Sequence, residues 1–124
     1  MRVLVTGATG FTGGHLARAL AAAGHDVSAL VRDRAGEPAA DLARAGITPV
    51  SGDLRDSSTL TAATTGVEVV YHVAAIYRQA GVPADTYRAV NAVGSQLVVE
   101  AASRAGARRV VHCSTVGVHG DIER

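Results

Sequence analysis

Three glycines, Gly7, Gly10 and Gly13, are spaced three apart where the apolar run Val3-Leu4-Val5 gives way to an amphipathic stretch. At such a junction the first glycine permits a sharp turn and the second lets backbone lie against a pyrophosphate. The third allows the following helix to pack tightly on the strand. Free N–H groups and the positive dipole end of a helix opening at about Thr12 would then face the phosphates. The spacing alone is weak, because a plain strand-to-helix turn also meets it. It gains meaning with a strand before it, a helix after it and a βαβ unit around it. The chain offers all three, so the stretch reads as a nucleotide cradle.

Other residues refine which nucleotide and which chemistry. The second apolar run, Val27 to Val31, ends without an acid and is followed by Arg32. A guanidinium there suits a 2′-phosphate, which favours NADP over NAD, although Asp33 one residue on could reach a ribose hydroxyl. The absent acid also weakens a methyltransferase reading. Asp53 follows the third run, at the sheet edge where ligands bind in open α/β folds. It is expected to accept from adenine in preference to the alternatives of a helix N-cap or a loop acid. His72 ends an apolar run and reads as a core histidine satisfied by backbone. Asn91 sits in an otherwise apolar helical stripe, where a buried amide needs partners. A structural bond and a supporting role at the site are both open for it. Ser114 and Thr115, taken alone, read as turn hydroxyls bonding to backbone. Cys113 reads as a small apolar filler alternating into the sheet core. No metal is called for.

The elements that must position these residues are legible. Apolar, β-branched runs predict strands at Arg2–Thr6, Val27–Val31, Ile47–Ser51, Val67–Val73 and Arg109–Ser114. Helices are predicted at about Thr12–Ala23, Pro38–Ala45, Ser57–Thr65 and Ala84–Ala105. Gly24, Gly46, Gly66 and Gly106 each follow a helix and precede a strand, as left-handed helix caps do. Near-continuous apolar strands imply helices on both sheet faces, and the alternation implies a parallel sheet. The prediction is one doubly wound, Rossmann-type α/β domain over residues 1–124, with five strands in the order 3-2-1-4-5. In the long last helix, Tyr87, Val90, Asn91, Gly94, Leu97, Val98, Ala101 and Ala102 share one face.

The 124 residues suffice for one domain with a single core, and 48% hydrophobic content argues for a globular chain. A net charge of +1 supplies no electrostatic case for nucleic acid or an anionic membrane. The lone cysteine and the absence of a long apolar run fit a reducing, cytoplasmic setting. All 12 basic residues are arginine, so a mechanism needing lysine cannot be completed within these residues.

Together the motifs resemble the extended short-chain dehydrogenase/reductases, often labelled NAD-dependent epimerase/dehydratase. Thr6-Gly7-Ala8-Thr9-Gly10-Phe11-Thr12-Gly13 resembles that family's TGxxGxxG. Gly52-Asp53-Leu54 resembles its adenine-contacting acid, and Tyr71-His72-Val73-Ala74-Ala75 its cofactor-passing loop after strand four. Val90-Asn91-Ala92-Val93-Gly94-Ser95 resembles its N-V-x-G-T helix segment. Val111-His112-Cys113-Ser114-Thr115-Val116-Gly117-Val118-His119-Gly120 resembles strand five and the catalytic serine/threonine segment, with His119 where an aromatic is common. The resemblance implies that Gly7, Thr9, Gly10, Phe11, Thr12, Gly13, Arg32, Asp53, Leu54, Val73, Ala74, Ala75 and Asn91 serve the cofactor. It implies that the Thr115 hydroxyl, with neighbouring Ser114, orients a substrate carbonyl or carbinol.

The resemblance covers only the family's N-terminal part. The family's Y-x-x-x-K proton relay lies further on, and Tyr71, Tyr77 and Tyr87 begin no such motif. The family's C-terminal substrate lobe is likewise not among these residues. The expectation is a truncated cofactor-binding part of a longer enzyme acting on a ketone, alcohol or nucleotide-sugar carbon. It should bind cofactor without completing turnover. A strand edge left open after strand five invites pairing, a homodimer included, or aggregation. A non-catalytic NAD(P)H sensor and an interaction surface are the alternative readings.

Overall fold

In the computed structural model, which describes residues 1–76 and 80–114, the chain alternates strand and helix as predicted. The strands are β1 (Arg2–Thr6), β2 (Asp26–Val31), β3 (Thr48–Ser51), β4 (Val69–His72) and β5 (Arg109–His112). They form one parallel sheet in the order β3-β2-β1-β4-β5. The helices are α1 (Phe11–Ala22), α2 (Glu37–Arg44), α3 (Ser57–Thr64), α4 (Ala84–Tyr87) and α5 (Gly94–Arg104). Gly24, Gly46, Gly66 and Gly106 all have positive φ just past a helix end.

Side chains alternate between faces along a strand, so a buried sheet needs apolar residues at both parities. Val3 and Val5 of β1 join Val27, Ala29, Val31 and Val69 beneath Ala17 of α1 and Leu42 of α2. Leu4, Leu30 and Val70 point the other way, to Leu60 of α3 and Val98 of α5. The two outer strands depart from this pattern. Most of β5 is exposed and β3 is at best half-buried, because each pairs on one side only. Cys113, one residue past β5, is exposed rather than a core filler.

The predicted long helix is continuous in backbone but widens to a π-helix over Arg88–Val93, between α4 and α5. A π turn holds more residues than an α turn, so positions before it rotate off the stripe drawn with α spacing. Gly94, Val98, Ala101 and Ala102 keep the buried face, whereas Tyr87 and Val90 are half-buried and Asn91 is exposed. Among the described residues no helix is long and apolar enough to cross a membrane.

The same alternation carries Thr6, after Leu4, and His72, after Val70, to the α5 face, where both are fully buried. Burial, with a smaller push from nearby His112, lowers the His72 pKa to about 4. An unfolded histidine near 6.5 takes its proton first, so this part of the stability is full above that pH and is lost as pH falls toward 4. Chemical denaturation across that window should show the loss, up to about 3 kcal/mol, with a smaller slope in His72→Asn.

Candidate functional site

All five strands run the same way, so the residues after each strand gather along one edge of the sheet. Gly7 follows β1, Arg32 follows β2, Asp53 lies beyond β3, and Val73–Ala75 follow β4. β1 has β2 on one side and β4 on the other, which makes the β1/β4 boundary the point where the strand order reverses. Open α/β sheets bind ligands in the crevice at that point.

The glycine turn is built there under tight steric limits. Gly7 has φ +78°, and a Cβ on it would lie 2.7 Å from the Ala74 nitrogen. A Cβ on Gly13 would meet the Gly7 carbonyl oxygen at 2.1 Å, so α1 starts directly against the turn. Gly10 differs: its backbone is extended, and a Cβ there would meet only the Gly7 oxygen, at an ordinary 3.4 Å. The protein's own packing therefore does not require glycine at position 10. The space outside it is left for something else to approach.

Gly10 is also the N-cap of α1, where no side chain caps the helix and no acid occupies the first turn. Open N–H groups and a positive dipole end thus face the exposed residues Thr9, Phe11 and Thr12. Phe11 is 83% exposed, with His15 edge-on at 4.6 Å. A cleft of about 390 Å³ continues from Thr9 and Phe11 between α1 and α2, past His15, Arg18, Pro38 and Asp41. An anionic group with a flat extension fits this arrangement: open amides, a Cβ-free approach at Gly10, and small Ala74 and Ala75 across the crevice.

The turn is tied to the segment after β4 by the Thr6 carbonyl, which accepts the Val73 N–H at 3.3 Å, and by the Thr6 hydroxyl. The Val73 and Ala74 N–H groups both donate to Thr6 Oγ1, each at 3.1 Å. With two N–H groups on its oxygen, Thr6 gives its own proton to His72 Nδ1 at 2.7 Å. On the other side of the ring, Ser95 Oγ donates to the Asn91 carbonyl at 2.7 Å and so accepts from His72 Nε2–H at 2.9 Å. Every group is satisfied when the imidazole is neutral and protonated on Nε2. The partners of His72 are thus side-chain hydroxyls, not the backbone groups expected from sequence.

The expected acids are held in different ways. Asp53 takes the Arg55 guanidinium on both oxygens, at 3.1 and 2.9 Å, and the Arg55 N–H at 2.9 Å. Those bonds, the side-chain one foremost, hold its carboxyl below the usual range. It does not cap α3; Asp56 does, by accepting from the Ser58 N–H at 3.0 Å. The Asp56-Ser57-Ser58 run is the sequence signal for that cap. Asp33 accepts from the Ala35 N–H at 3.0 Å, closing its own turn. Arg32 is exposed. Leu54 is buried, and its Cβ would lie 3.1 Å from a Cβ on Gly94, so α5 crosses directly over this loop.

Asn91 is exposed, contrary to the buried position expected from the stripe, yet both ends of its amide are engaged. It accepts from the Ile76 N–H and donates to the Ile76 carbonyl, both at 2.8 Å. It thereby holds the segment after β4 through backbone. Ser114 is exposed two residues past β5. Thr115, its expected catalytic neighbour, lies outside the described residues, as do Tyr77 and His119.

The chain resembles proteins of known kind along nearly all its length. It is 42% identical over 121 residues to sterol demethylase protein B of Methylococcus capsulatus, covering 97% of this chain and 36% of that protein. It is 37% identical over 123 residues to a 3β-hydroxysteroid dehydrogenase/Δ5→4-isomerase of Mycobacterium tuberculosis, covering 94% and 32%. A dTDP-glucose 4,6-dehydratase of Streptomyces venezuelae, solved with NAD bound, superposes with a TM-score of 0.83 at 35% identity, over 100% of this chain and 42% of that one. The chain thus spans about a third of the length of the curated relatives it matches. The family model for NAD-dependent epimerases and dehydratases matches residues 3–124, and the chain belongs to that family.

Proposed function

We propose that these residues form the dinucleotide-binding part of an NADP-preferring oxidoreductase or epimerase. The whole protein would act by hydride transfer at a ketone, alcohol or nucleotide-sugar carbon. The observation that carries this reading is the steric contrast within the glycine turn. Gly7 and Gly13 are required by the protein itself, whereas Gly10 stands open beside uncapped helix amides at the β1/β4 crevice.

In this reading Phe11, Thr12 and Gly13 present backbone N–H groups to the pyrophosphate, beside Thr9 and the Cβ-free Gly10, whose own N–H closes the turn on the Gly7 carbonyl at 3.0 Å. Asp53 accepts from the adenine amine, and Leu54, its side chain buried under α5, meets the ring through its backbone. Arg32 pairs with the 2′-phosphate, and Val73, Ala74 and Ala75 leave room for the ribose and nicotinamide. Asn91 keeps that last segment in place through Ile76. A nicotinamide bound there supplies or takes the hydride. Thr115, with Ser114 beside it, orients the reacting oxygen. Among these residues no lysine is present to hold a tyrosine as phenolate, so they bind and position without finishing proton transfer. A cytoplasmic enzyme with a small-molecule substrate is the setting proposed for the whole protein.

Titration calorimetry with NADPH and NADH tests the assignment. The chain should favour NADPH. Arg32→Ala should reduce that preference about tenfold or more, as expected for losing a charge-assisted bond to phosphate. An unchanged ratio would remove Arg32 from the 2′-phosphate site. The glycines should separate binding from folding. Gly10→Ala should retain stability to within about 1 kcal/mol, the scale of an N-cap change, while binding NADPH at least about tenfold more weakly. Gly13→Ala should lower the melting temperature, because its Cβ overlaps the Gly7 carbonyl. Full NADPH affinity in Gly10→Ala would overturn the cradle.

A further inference from the structure

The hydrogen-bond chain through the core runs from the glycine turn to the long helix and passes through a single side chain, His72. Each of its ring nitrogens has one partner, and the two partners belong to different elements. Nδ1 meets Thr6 at the end of β1, and Nε2 meets Ser95 in α5. On the Thr6 side, the hydroxyl has one proton and two acceptor lone pairs. The Ala74 N–H donates to it, and the Val73 N–H is shared between it and the Thr6 carbonyl at 3.3 Å, so the hydroxyl proton goes to a bare Nδ1. On the Ser95 side, the proton goes to the Asn91 carbonyl, so Nε2 must donate. A histidine protonated on Nδ1 would point a hydrogen at an oxygen that has no lone pair left. The Thr6 hydroxyl would turn, and the Ala74 N–H would lose its acceptor while Val73 kept the Thr6 carbonyl.

We propose that His72 is a positioning residue for the dinucleotide crevice, holding the loop after β4 against the Gly7 turn by accepting the Thr6 hydroxyl proton as the Nε2–H imidazole. The two arms of the ring do different work. The Nδ1 arm orients Thr6 and through it Val73 and Ala74, which border the crevice. The Nε2 arm fastens the helix carrying Asn91. His112, stacked on the ring at 5.3 Å, is the titratable neighbour contributed by β5; the partners from β1 and α5 are neutral hydroxyls. The inference rests on the crevice being the cofactor site, but the arrangement can be read without any cofactor.

Two substitutions divide the arms. Asparagine at position 72 places an amide oxygen near the site of Nδ1 and keeps an acceptor for Thr6, while losing Ser95. Glutamine reaches toward Ser95 and leaves Thr6 without an acceptor. Both lose one arm, so comparable drops in melting temperature are expected. NADPH affinity should separate them, with His72→Asn within about threefold of the parent chain and His72→Gln about tenfold or more weaker. Amide hydrogen exchange on the cofactor-free chains should show Ala74 protected in His72→Asn and exposed to exchange in His72→Gln, with Val73, which also bonds the Thr6 carbonyl, changing less. Nitrogen-15 spectra of the parent chain should show Nε2 protonated and Nδ1 bare at neutral pH.

An Nδ1–H imidazole would overturn the proposal, as would exchange or affinity losses that follow melting temperature equally in both variants. If the parent chain binds no NADPH, the functional reading falls, and the spectra and exchange still decide whether His72 holds the loop.

Discussion

The close approach of Gly7 to Ala74 is the constraint on which the rest of this edge depends. It follows from the parallel pairing of β1 and β4, which sets Thr6 opposite His72 and so lets both chains leave the sheet side by side. With a Cβ excluded at Gly7, the β4 loop can lie against the turn. The Thr6 carbonyl still accepts the Val73 N–H at 3.3 Å, and the Thr6 hydroxyl takes the Ala74 N–H one residue further. α1 must start close behind, because only Gly13 can sit on the Gly7 carbonyl. The segment beyond Ala74 is held at Ile76 by Asn91 from the π-helical stretch. Moving any one of these would require the others to move, since each contact is backbone against backbone or a fully used hydrogen-bonding group.

The charges around the crevice are arranged so that the acids are occupied. Asp53 is neutralised by Arg55, Asp33 closes a turn, and Asp56 caps α3. Arg18 and Asp41 pair across α1 and α2. Exposed pairs of this kind contribute about 0–1 kcal/mol each, so their importance lies in orientation rather than stability. At the α1 N-terminus what remains facing outward is a set of amide dipoles, with Arg32 at the end of β2. That pattern suits a ligand whose charge is negative and whose remaining surface is flat.

The polar chain through the core differs in kind from these surface pairs. Thr6 and His72 are buried and Ser95 half-buried, and together they couple three elements. Leu4, Val70 and Val98 bring β1, β4 and α5 together without fixing their mutual register at the ligand edge. The β1/β4 ladder fixes the two strands, and His72 through Ser95 ties α5 to that edge, because a buried imidazole without its partner costs about 1–3 kcal/mol. Among the described residues no buried side-chain nitrogen or oxygen lacks a partner.

The strands, their order and the cap glycines were legible in the sequence because they depend on local periodicity and on the handedness of βαβ units, both of which any window of the chain carries. The glycine spacing likewise announced a turn at the end of β1. Tertiary structure decided what periodicity cannot encode. The π turn moved Asn91 off the buried stripe, since one added residue per turn is invisible to an α-helical template. Asp56 rather than Asp53 became the cap, because cap choice depends on where the helix begins to within a residue. His72 found hydroxyls rather than backbone, because its partners Thr6 and Ser95 lie 66 and 23 residues away along the chain. Sequence thus determined which elements form and in what order they pair. The three-dimensional packing decided which polar groups meet at their ends, because hydrogen-bond partnership is set by distances of a few tenths of an ångström between segments far apart in sequence.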